Sequence, residues 1–139
     1  MRTLALDLGD RRIGVALSDA TGTLARPLEV FQRRSRAADF AHVAALVQQH
    51  EVGAVVIGLP FNMNGTEGQR AAWTRDYGAA LEQAVERPVI FWDERLTTVE
   101  AEELLQAQGR RRSEKRSVDA IAAAIILQGY LDHLRDEEK

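Results

Sequence analysis

The sequence predicts an α/β fold in which a meander of three strands precedes two β-α units, and three observations support this. Strand-like apolar segments crowd the first 31 residues and leave no room there for a helix. Short apolar segments then alternate with longer segments of helical periodicity. Acidic residues stand at or near the ends of two of the apolar strands, at Asp7 and at Asp93-Glu94, and Asp119 lies on an apolar helix.

The first three predicted strands form an antiparallel meander. Residues 2–8 run apolar, and a tight connection at 10–12 joins them as a hairpin to a second strand at 13–18. A turn leads to a third strand at 24–31. Because Pro27 has no amide hydrogen to donate, we expect this third strand at an edge of the sheet.

The rest of the chain predicts two parallel strands, each followed by a helix. The segment 54–58 is short and fully apolar, which is typical of a strand covered on both faces. Ligands in open sheets of this kind bind at the carboxyl ends of the parallel strands. The predicted elements are a helix at 37–50, the strand at 54–58, a helix at 66–86 capped by Thr66, a strand at 89–92, a helix at 97–108 that Gly109 ends, and a helix at about 114–134.

Composition narrows the class of protein. A chain of 139 residues predicts a single domain over 1–139, with a solvated acidic tail at about 136–139. It has no cysteine, which excludes disulfides and thiolate metal sites. Neither a membrane-spanning run nor a signal peptide is present, so we expect a cytoplasmic protein. The net charge is −3, but residues 110–116 carry a local charge of +4 and Arg33-Arg34-Ser35-Arg36 adds a second basic cluster.

The acidic residues Asp7, Asp93-Glu94 and Asp119 indicate a metal site. Carboxylates at strand ends and on a packed helix lose hydration, and a divalent cation would offset that cost. Ligands that are all oxygen favour Mg²⁺ or Mn²⁺, which suits a metal-dependent enzyme that cleaves phosphodiesters. Strand alternation lets only one of Asp93 and Glu94 face Asp7, and the residues alone do not say which. Asp7 in a plain hairpin turn and Asp119 in a favourable helix-dipole position are the alternatives.

The segment 58–68 is a glycine- and asparagine-rich loop between a buried strand and a helix. Amide groups at a helix N-terminus attract phosphate, so this loop is a candidate phosphate contact. An ordinary strand-to-helix connection would have the same composition, and the loop alone favours that simpler interpretation.

Four stretches of this chain resemble the YqgF family of the RNase H-like superfamily, also called RuvX or Holliday-junction-resolvase-like proteins. The resemblance covers essentially the whole chain in order, and the four stretches together are highly specific. They are Asp7-Leu8-Gly9 with Arg12-Ile13-Gly14-Val15-Ala16, Gly58-Leu59-Pro60 with Gly65-Thr66-Glu67-Gly68, Asp93-Glu94-Arg95-Leu96-Thr97-Thr98, and residues 115–127 with Asp119.

The resemblance implies an RNase H-like fold with a five-stranded sheet of order 3-2-1-4-5, strand 2 antiparallel, and helices on both faces. It implies that Asp7, Glu94 and Asp119 are the catalytic residues and hold Mg²⁺ or Mn²⁺, with Glu94 chosen over Asp93. The implied activity is a hydrolase acting on ester bonds, a nuclease that processes pre-16S rRNA in ribosome biogenesis. Holliday junction resolution, or a non-catalytic module that binds RNA or a transcription partner, are the alternatives.

Nucleic acid is the expected partner, and a monomer or weak homodimer is the expected state. Basic residues near the acidic ones would hold the phosphate backbone, although salt bridges with acids are the alternative for each. They are Arg12, Arg95, Arg110, Arg111, Arg112, Lys115 and Arg116. An ATPase of the actin and sugar-kinase type also begins with Asp-x-Gly, but such proteins need two lobes and this chain has the length of one.

Overall fold

The computed structural model describes residues 1–96, Glu103 and residues 115–137, which form a mixed sheet with helices on both faces. The strands are β1 (Arg2–Leu8), β2 (Arg12–Ser18), β3 (Ala25–Gln32), β4 (Val52–Leu59) and β5 (Val89–Asp93). The helices are α1 (Arg36–Gln49), α2 (Gln69–Val85) and α3 (Lys115–Glu137), with a 3-10 helix at Glu94–Leu96. The helix predicted at 97–108 lies outside the described residues, apart from Glu103, which is helical. No helix among the described residues has the length and apolar character needed to cross a membrane.

The sheet has the strand order β3-β2-β1-β4-β5, which confirms the expected order. β2 is antiparallel to both β1 and β3, while β4 is parallel to β1 and to β5. The carboxyl ends of β1, β4 and β5 therefore meet at one edge of the sheet, where the acidic residues lie.

β3 is an edge strand, as Pro27 predicted. Its register against β2 shifts between Val15 and Ala16, because Val15 pairs with Glu29 whereas Ala16 pairs with Pro27. Leu28 is the additional residue of this bulge. A proline and a bulge together interrupt the row of backbone donors on the outer side of the strand.

The two faces of the sheet are packed by side chains of different size. The face under α1 and α2 is built from large residues of β1 and β2, namely Leu4, Leu6, Leu8, Ile13, Val15 and Leu17. On the face under α3, β1 and β2 contribute the small residues Ala5 and Ala16, and Ala123 and Ala124 of the helix pack against this face. Alternation along each strand produces this division, since neighbouring side chains point to opposite faces.

Two helix ends differ from the predicted bounds. α2 begins at Gln69 with Gly68 as its N-cap, not at Thr66. Thr66 instead donates its hydroxyl to Asn64 Oδ1 at 2.6 Å, and its backbone amide donates to the same oxygen, so a local asparagine turn takes the place of a first helical turn. α3 extends to Glu137, so the predicted acidic tail begins inside a helix.

Candidate active site

Asp7 stands in β1 between two glycines of the neighbouring strands. It pairs with Gly14 of β2, and Gly58 of β4 follows the Leu6–Ile57 pair on the other side. Because Leu6 and Leu8 face α1 and α2, Asp7 faces α3. The carboxylate therefore has no side chain beside it in either adjacent strand.

Gly14 lets α3 approach the sheet and brings Asp119 to this row. A Cβ at Gly14 would overlap the backbone carbonyl of Asp119, so no larger residue fits without moving the helix. The Asp119 side chain is 30% exposed, and its Oδ2 is a buried atom without a hydrogen bond. Arg12 Nε lies 3.0 Å from that oxygen as an ion pair whose alignment falls short of a hydrogen bond.

Gly58 makes the equivalent room for Glu94 on the other side of Asp7. A Cβ at Gly58 would lie 2.7 Å from Glu94 Oε1 and 2.5 Å from Ile126 Cδ1. Glu94 opens the 3-10 helix that follows β5. As a whole residue it is exposed, but its carboxylate lies against the sheet, where burial acts on it.

Asp93 and Glu94, which the residues alone could not separate, have different surroundings. Arg95 donates to both oxygens of Asp93, with Nη2–Oδ2 at 2.7 Å and Nε–Oδ1 at 3.0 Å. These hydrogen bonds hold the pKa of Asp93 below its usual value. Asp93 is thus committed to Arg95, while the Glu94 carboxylate lies near Asp7.

The charges of the acidic residues act on one another. Burial, and then the charge of Asp119, raise the pKa of Asp7, while Arg70 lowers it. Burial, followed by the charge of Asp7, raises the pKa of Glu94, and Arg70 again opposes the shift. Both carboxylates are therefore harder to ionise in the folded protein than in water, as expected of carboxylates that lie partly buried and close to one another.

The chemical type of Asp7, Glu94 and Asp119 suits a hard divalent cation. All three carboxylates offer only oxygen ligands, and the buried Asp119 Oδ2 accepts no hydrogen bond. As the side chains stand, however, no group of three or more His, Cys, Asp or Glu in the described part of the chain is placed to hold a metal ion. Arg12 supplies positive charge to Asp119 in this arrangement.

Arg70 belongs to the site although sequence reasoning missed it. It lies in the first turn of α2 and donates to Asp10 Oδ1 at 2.7 Å and to the Leu8 carbonyl at 3.0 Å. A signal was available, because an arginine at a helix N-terminus faces an unfavourable dipole and needs an anionic partner. That partner is the β1–β2 hairpin and the carboxylates behind it.

Only some of the basic residues predicted to contact nucleic acid lie among the described residues. Arg12 pairs with Asp119, and Arg95 pairs with Asp93 and lies 4.5 Å above the Phe61 ring, so the structure gives both an intramolecular partner. Arg110, Arg111 and Arg112 lie outside the described residues. Lys115 and Arg116 lie in the first turn of α3, with side chains outside the described part.

Known proteins show where this chain belongs. A family model described as "RuvX: Holliday junction resolvase" matches residues 1–133. A protein of Anaeromyxobacter sp. (strain Fw109-5) is 51% identical over 95% of this chain and 97% of its own length. One of Thermoanaerobacter pseudethanolicus is 42% identical over 99% of this chain and all of its own length. Both carry the name "Putative pre-16S rRNA nuclease".

Solved structures support the fold. RuvC of Thermus thermophilus in complex with a Holliday junction substrate has a TM-score of 0.63 at 14% identity, covering 97% of this chain and 96% of that one. The fowlpox virus resolvase with Holliday junction DNA has a TM-score of 0.59 at 9% identity, covering 96% and 99%. At such identities the likeness shows the fold alone, and it confirms the RNase H-like fold expected from the sequence. With the family model matching nearly its whole length, the chain belongs to the RuvX family.

Proposed function

We propose that this chain is a divalent-metal-dependent nuclease that hydrolyses phosphodiester bonds of RNA during the maturation of pre-16S rRNA. One observation carries the proposal. The glycines on either side of Asp7 leave the space through which Asp119 and Glu94 approach it, so that the charge of Asp119 acts on Asp7 and the charge of Asp7 acts on Glu94. Packing alone does not need such a cluster, since it raises the pKa of two of its members.

Each carboxylate has a role in this proposal. Asp7, on the central strand, lies between Glu94 and Asp119, and all three would hold Mg²⁺ or Mn²⁺. When bound, the cation would activate water and stabilise the leaving oxygen of the phosphodiester. The half-buried position of Asp7 reduces its contact with solvent and strengthens its electrostatic interactions.

Two arginines complete the proposed chemistry. Arg12 forms an ion pair with Asp119, and it would contact the substrate phosphate if Asp119 held a cation. Arg70 braces the β1–β2 hairpin through the Leu8 carbonyl and Asp10, and so positions the backbone that follows Asp7.

The substrate assignment comes from the relatives. The two relatives described above, both named as pre-16S rRNA nucleases, are 51% and 42% identical to this chain over nearly its full length. Such similarity supports a common substrate class, and we propose that the activity takes place in the cytoplasm, with the ribosome precursors.

A second candidate is resolution of four-way DNA junctions. The description of the matching family and the fold shared with RuvC favour it. A resolvase cuts two symmetry-related strands, which normally requires two copies of the enzyme.

Cleavage assays on matched substrates test the proposal. The wild-type protein and Asp7→Asn would be incubated with a labelled pre-16S rRNA leader fragment and with a four-way DNA junction, in Mg²⁺, in Mn²⁺ and in excess EDTA. We expect RNA cleavage by the wild type only when metal is present. Undiminished cleavage in EDTA would contradict the metal site. Symmetric paired nicks in the junction, faster than RNA cleavage, would favour resolution instead, and no cleavage of either substrate would favour a binding module.

A further inference from the structure

A basic surface adjoins the active site on the far side of the β1–β2 hairpin. We call it the Arg33 surface and define it by Arg11, Arg33, Arg34, Arg70 and Trp73. Arg33 and Arg34 follow β3, Arg70 and Trp73 lie on α2, and Arg11 is in the hairpin. Three separate segments of the chain therefore bring these residues together.

Arg33 is fixed in place without an acidic partner. Its Nη1 donates to the carbonyls of Gly9 and Asp10 at 3.0 and 3.2 Å, and its guanidinium lies 4.5 Å above the Trp73 ring. Within the described residues it forms no ion pair, and these direct contacts are all with neutral groups. A neutral side chain with an N–H group could also donate to the carbonyls of Gly9 and Asp10. The positive charge of Arg33 is therefore not needed to hold the β1–β2 hairpin.

The surface has an excess of positive charge. Arg11, Arg33 and Arg70 all act on the exposed carboxylate of Asp10, where the Arg70 hydrogen bond has the largest effect, and together they lower its pKa. Arg11 and Arg34 are exposed and have no ion pair among the described residues. This concentration occurs on a chain whose net charge is −3, so composition does not account for it.

An open cleft beside Asp119 reaches the Arg33 surface at Arg11. Its volume is about 540 Å³. The lining residues are Gly9, Asp10, Arg11, Arg12, Gln32 and Asp119. A strand whose phosphate lies at Asp119 would therefore continue past Arg11 toward Arg33.

We infer that the Arg33 surface binds the single-stranded RNA next to the bond that is cut. Phosphates contact the arginines, and a base stacks against the Arg33–Trp73 pair, since unpaired bases stack on guanidinium and aromatic planes. Double-stranded nucleic acid has its bases stacked already and cannot use such a pair. This inference rests on the proposed nuclease function, of which it names the substrate form.

Binding measured without cleavage tests the inference. The probe is a fluorescently labelled 12-nucleotide oligouridine, titrated with protein in excess EDTA at several salt concentrations. Arg11→Gln, Arg34→Gln and Arg33→Gln should each weaken binding several-fold and reduce the log–log salt slope by about 0.7, because each phosphate contact releases counterions. Arg26→Gln is the matched control, since Arg26 is an exposed arginine at the opposite end of β3.

Trp73→Leu separates stacking from charge. It should weaken oligouridine binding and abolish the quenching of tryptophan fluorescence by RNA, while the salt slope stays at the wild-type value. Arg11→Gln and Arg34→Gln change exposed side chains and keep the test decisive even if Trp73→Leu folds poorly.

The outcomes distinguish this inference from the proposed function. Wild-type affinity and slope in Arg11→Gln and Arg34→Gln would overturn it, even where RNA cleavage is observed. So would equal losses in Arg26→Gln, or tighter binding of a duplex of the same length. The assays could also show the expected binding pattern without any metal-dependent cleavage. In that case the Arg33 surface is an RNA-binding site and only the nuclease proposal is wrong.

Discussion

The two faces of the sheet are formed by the same strands but carry side chains of different size and chemistry. Under α1 and α2, β1 and β2 present leucine, isoleucine and valine, all nearly inaccessible to solvent. Under α3 the same strands present alanine, glycine and Asp7. One face buries a large apolar area, and the other keeps a helix backbone close to the strands.

The difference shows what small residues contribute here. Burial of a leucine or isoleucine contributes about 1.5–3 kcal/mol to stability, whereas an alanine or glycine contributes far less. In exchange, the α3 face lets a backbone carbonyl approach Gly14 and a carboxylate approach Gly58. The large apolar side chains of β1 and β2 therefore lie on one face, and the candidate chemistry lies on the other.

The largest expected effect comes from removing the charge at the centre of the α3 face. We expect Asp7→Asn to lower metal-dependent RNA cleavage by about 10³-fold or more, equivalent to about 4 kcal/mol of transition-state stabilisation. Asp93→Asn is the matched control, because Arg95 already occupies that carboxylate, and it should retain substantial activity. Rates at saturating RNA, together with circular dichroism of both variants, provide the measurement. Equal losses in the two variants would contradict the assignment of Asp7.

Adding a side chain at Gly14, on the face of the sheet under α3, should also impair cleavage. In Gly14→Ala the new methyl group meets the backbone of Asp119, which no rotamer change relieves, so α3 has to shift. We expect a loss of about 1–3 kcal/mol in the free energy of unfolding, as in overpacked cores, and about a 10²-fold loss of cleavage from misplacement of Asp119. Urea unfolding and cleavage rates measure these separately.

Gly58→Ala sharpens the same comparison. Its methyl group would meet the ends of the Glu94 and Ile126 side chains, which can move, so the loss of stability should be smaller than for Gly14→Ala. Cleavage should still fall because Glu94 is displaced.

For Gly14→Ala, the contradicting outcome is melting and cleavage equal to those of the wild type. It would show that α3 does not lie as close to Gly14 as the structure has it.

Truncation on the opposite face should affect stability alone. Leu17 is fully buried under α1 and α2, and Leu17→Ala should cost about 2–5 kcal/mol. Its cleavage rate per folded molecule should equal that of the wild type. The measurement is urea unfolding, combined with rates at a temperature where the variant is fully folded. A large rate loss in the folded variant would mean that the two faces are coupled.

The smallest expected effect concerns pH. The folded-state pKa of Asp7 is raised above its ordinary value of 3.8, so the protonated form is favoured by folding. The resulting contribution to stability is present below that ordinary value and is lost as the pH rises through the folded pKa. Asp7→Asn should therefore melt slightly above the wild type at pH 7 in EDTA, and the difference should disappear toward pH 3.8.

Leu17→Ala is the control for the pH series, because its loss of stability involves no titrating group. Melting temperatures of the three proteins from pH 4 to pH 8 give the comparison. A wild type more stable than Asp7→Asn at pH 7 without metal would contradict the raised pKa.

Much of the fold could be predicted because local signals and tertiary structure agree. The apolar pattern set β1 at residues 2–8, as observed, and Pro27 indicated the edge strand. Thr66 failed as a helix cap because Asn64 offers its amide and hydroxyl a closer partner. A cap and an asparagine turn use the same residue types, so only the local geometry separates them.

The acidic residues of the site could be predicted from the sequence, but most of the residues that surround them could not. Asp7, Glu94 and Asp119 were identified from their positions after strands, on a helix and in a family pattern, and their roles remain a prediction. Gly58 and Arg70 act across strands and helices that are distant in sequence, so neither a period nor a motif spacing points to their contacts. The helix-terminal position of Arg70 indicates that it needs an anionic partner, but only the folded structure shows which groups Arg70 and Gly58 contact.

The interrupted outer side of β3 bears on how this protein behaves at high concentration. An open sheet edge with continuous donors and acceptors is a template on which another molecule can add a strand, and growth from such edges leads to aggregates. At Pro27 one donor is missing, and the Leu28 bulge bends the strand beside it. Polymerisation through this edge is thereby disfavoured, so a variant that replaces Pro27 and removes the bulge should lose solubility before it loses its fold.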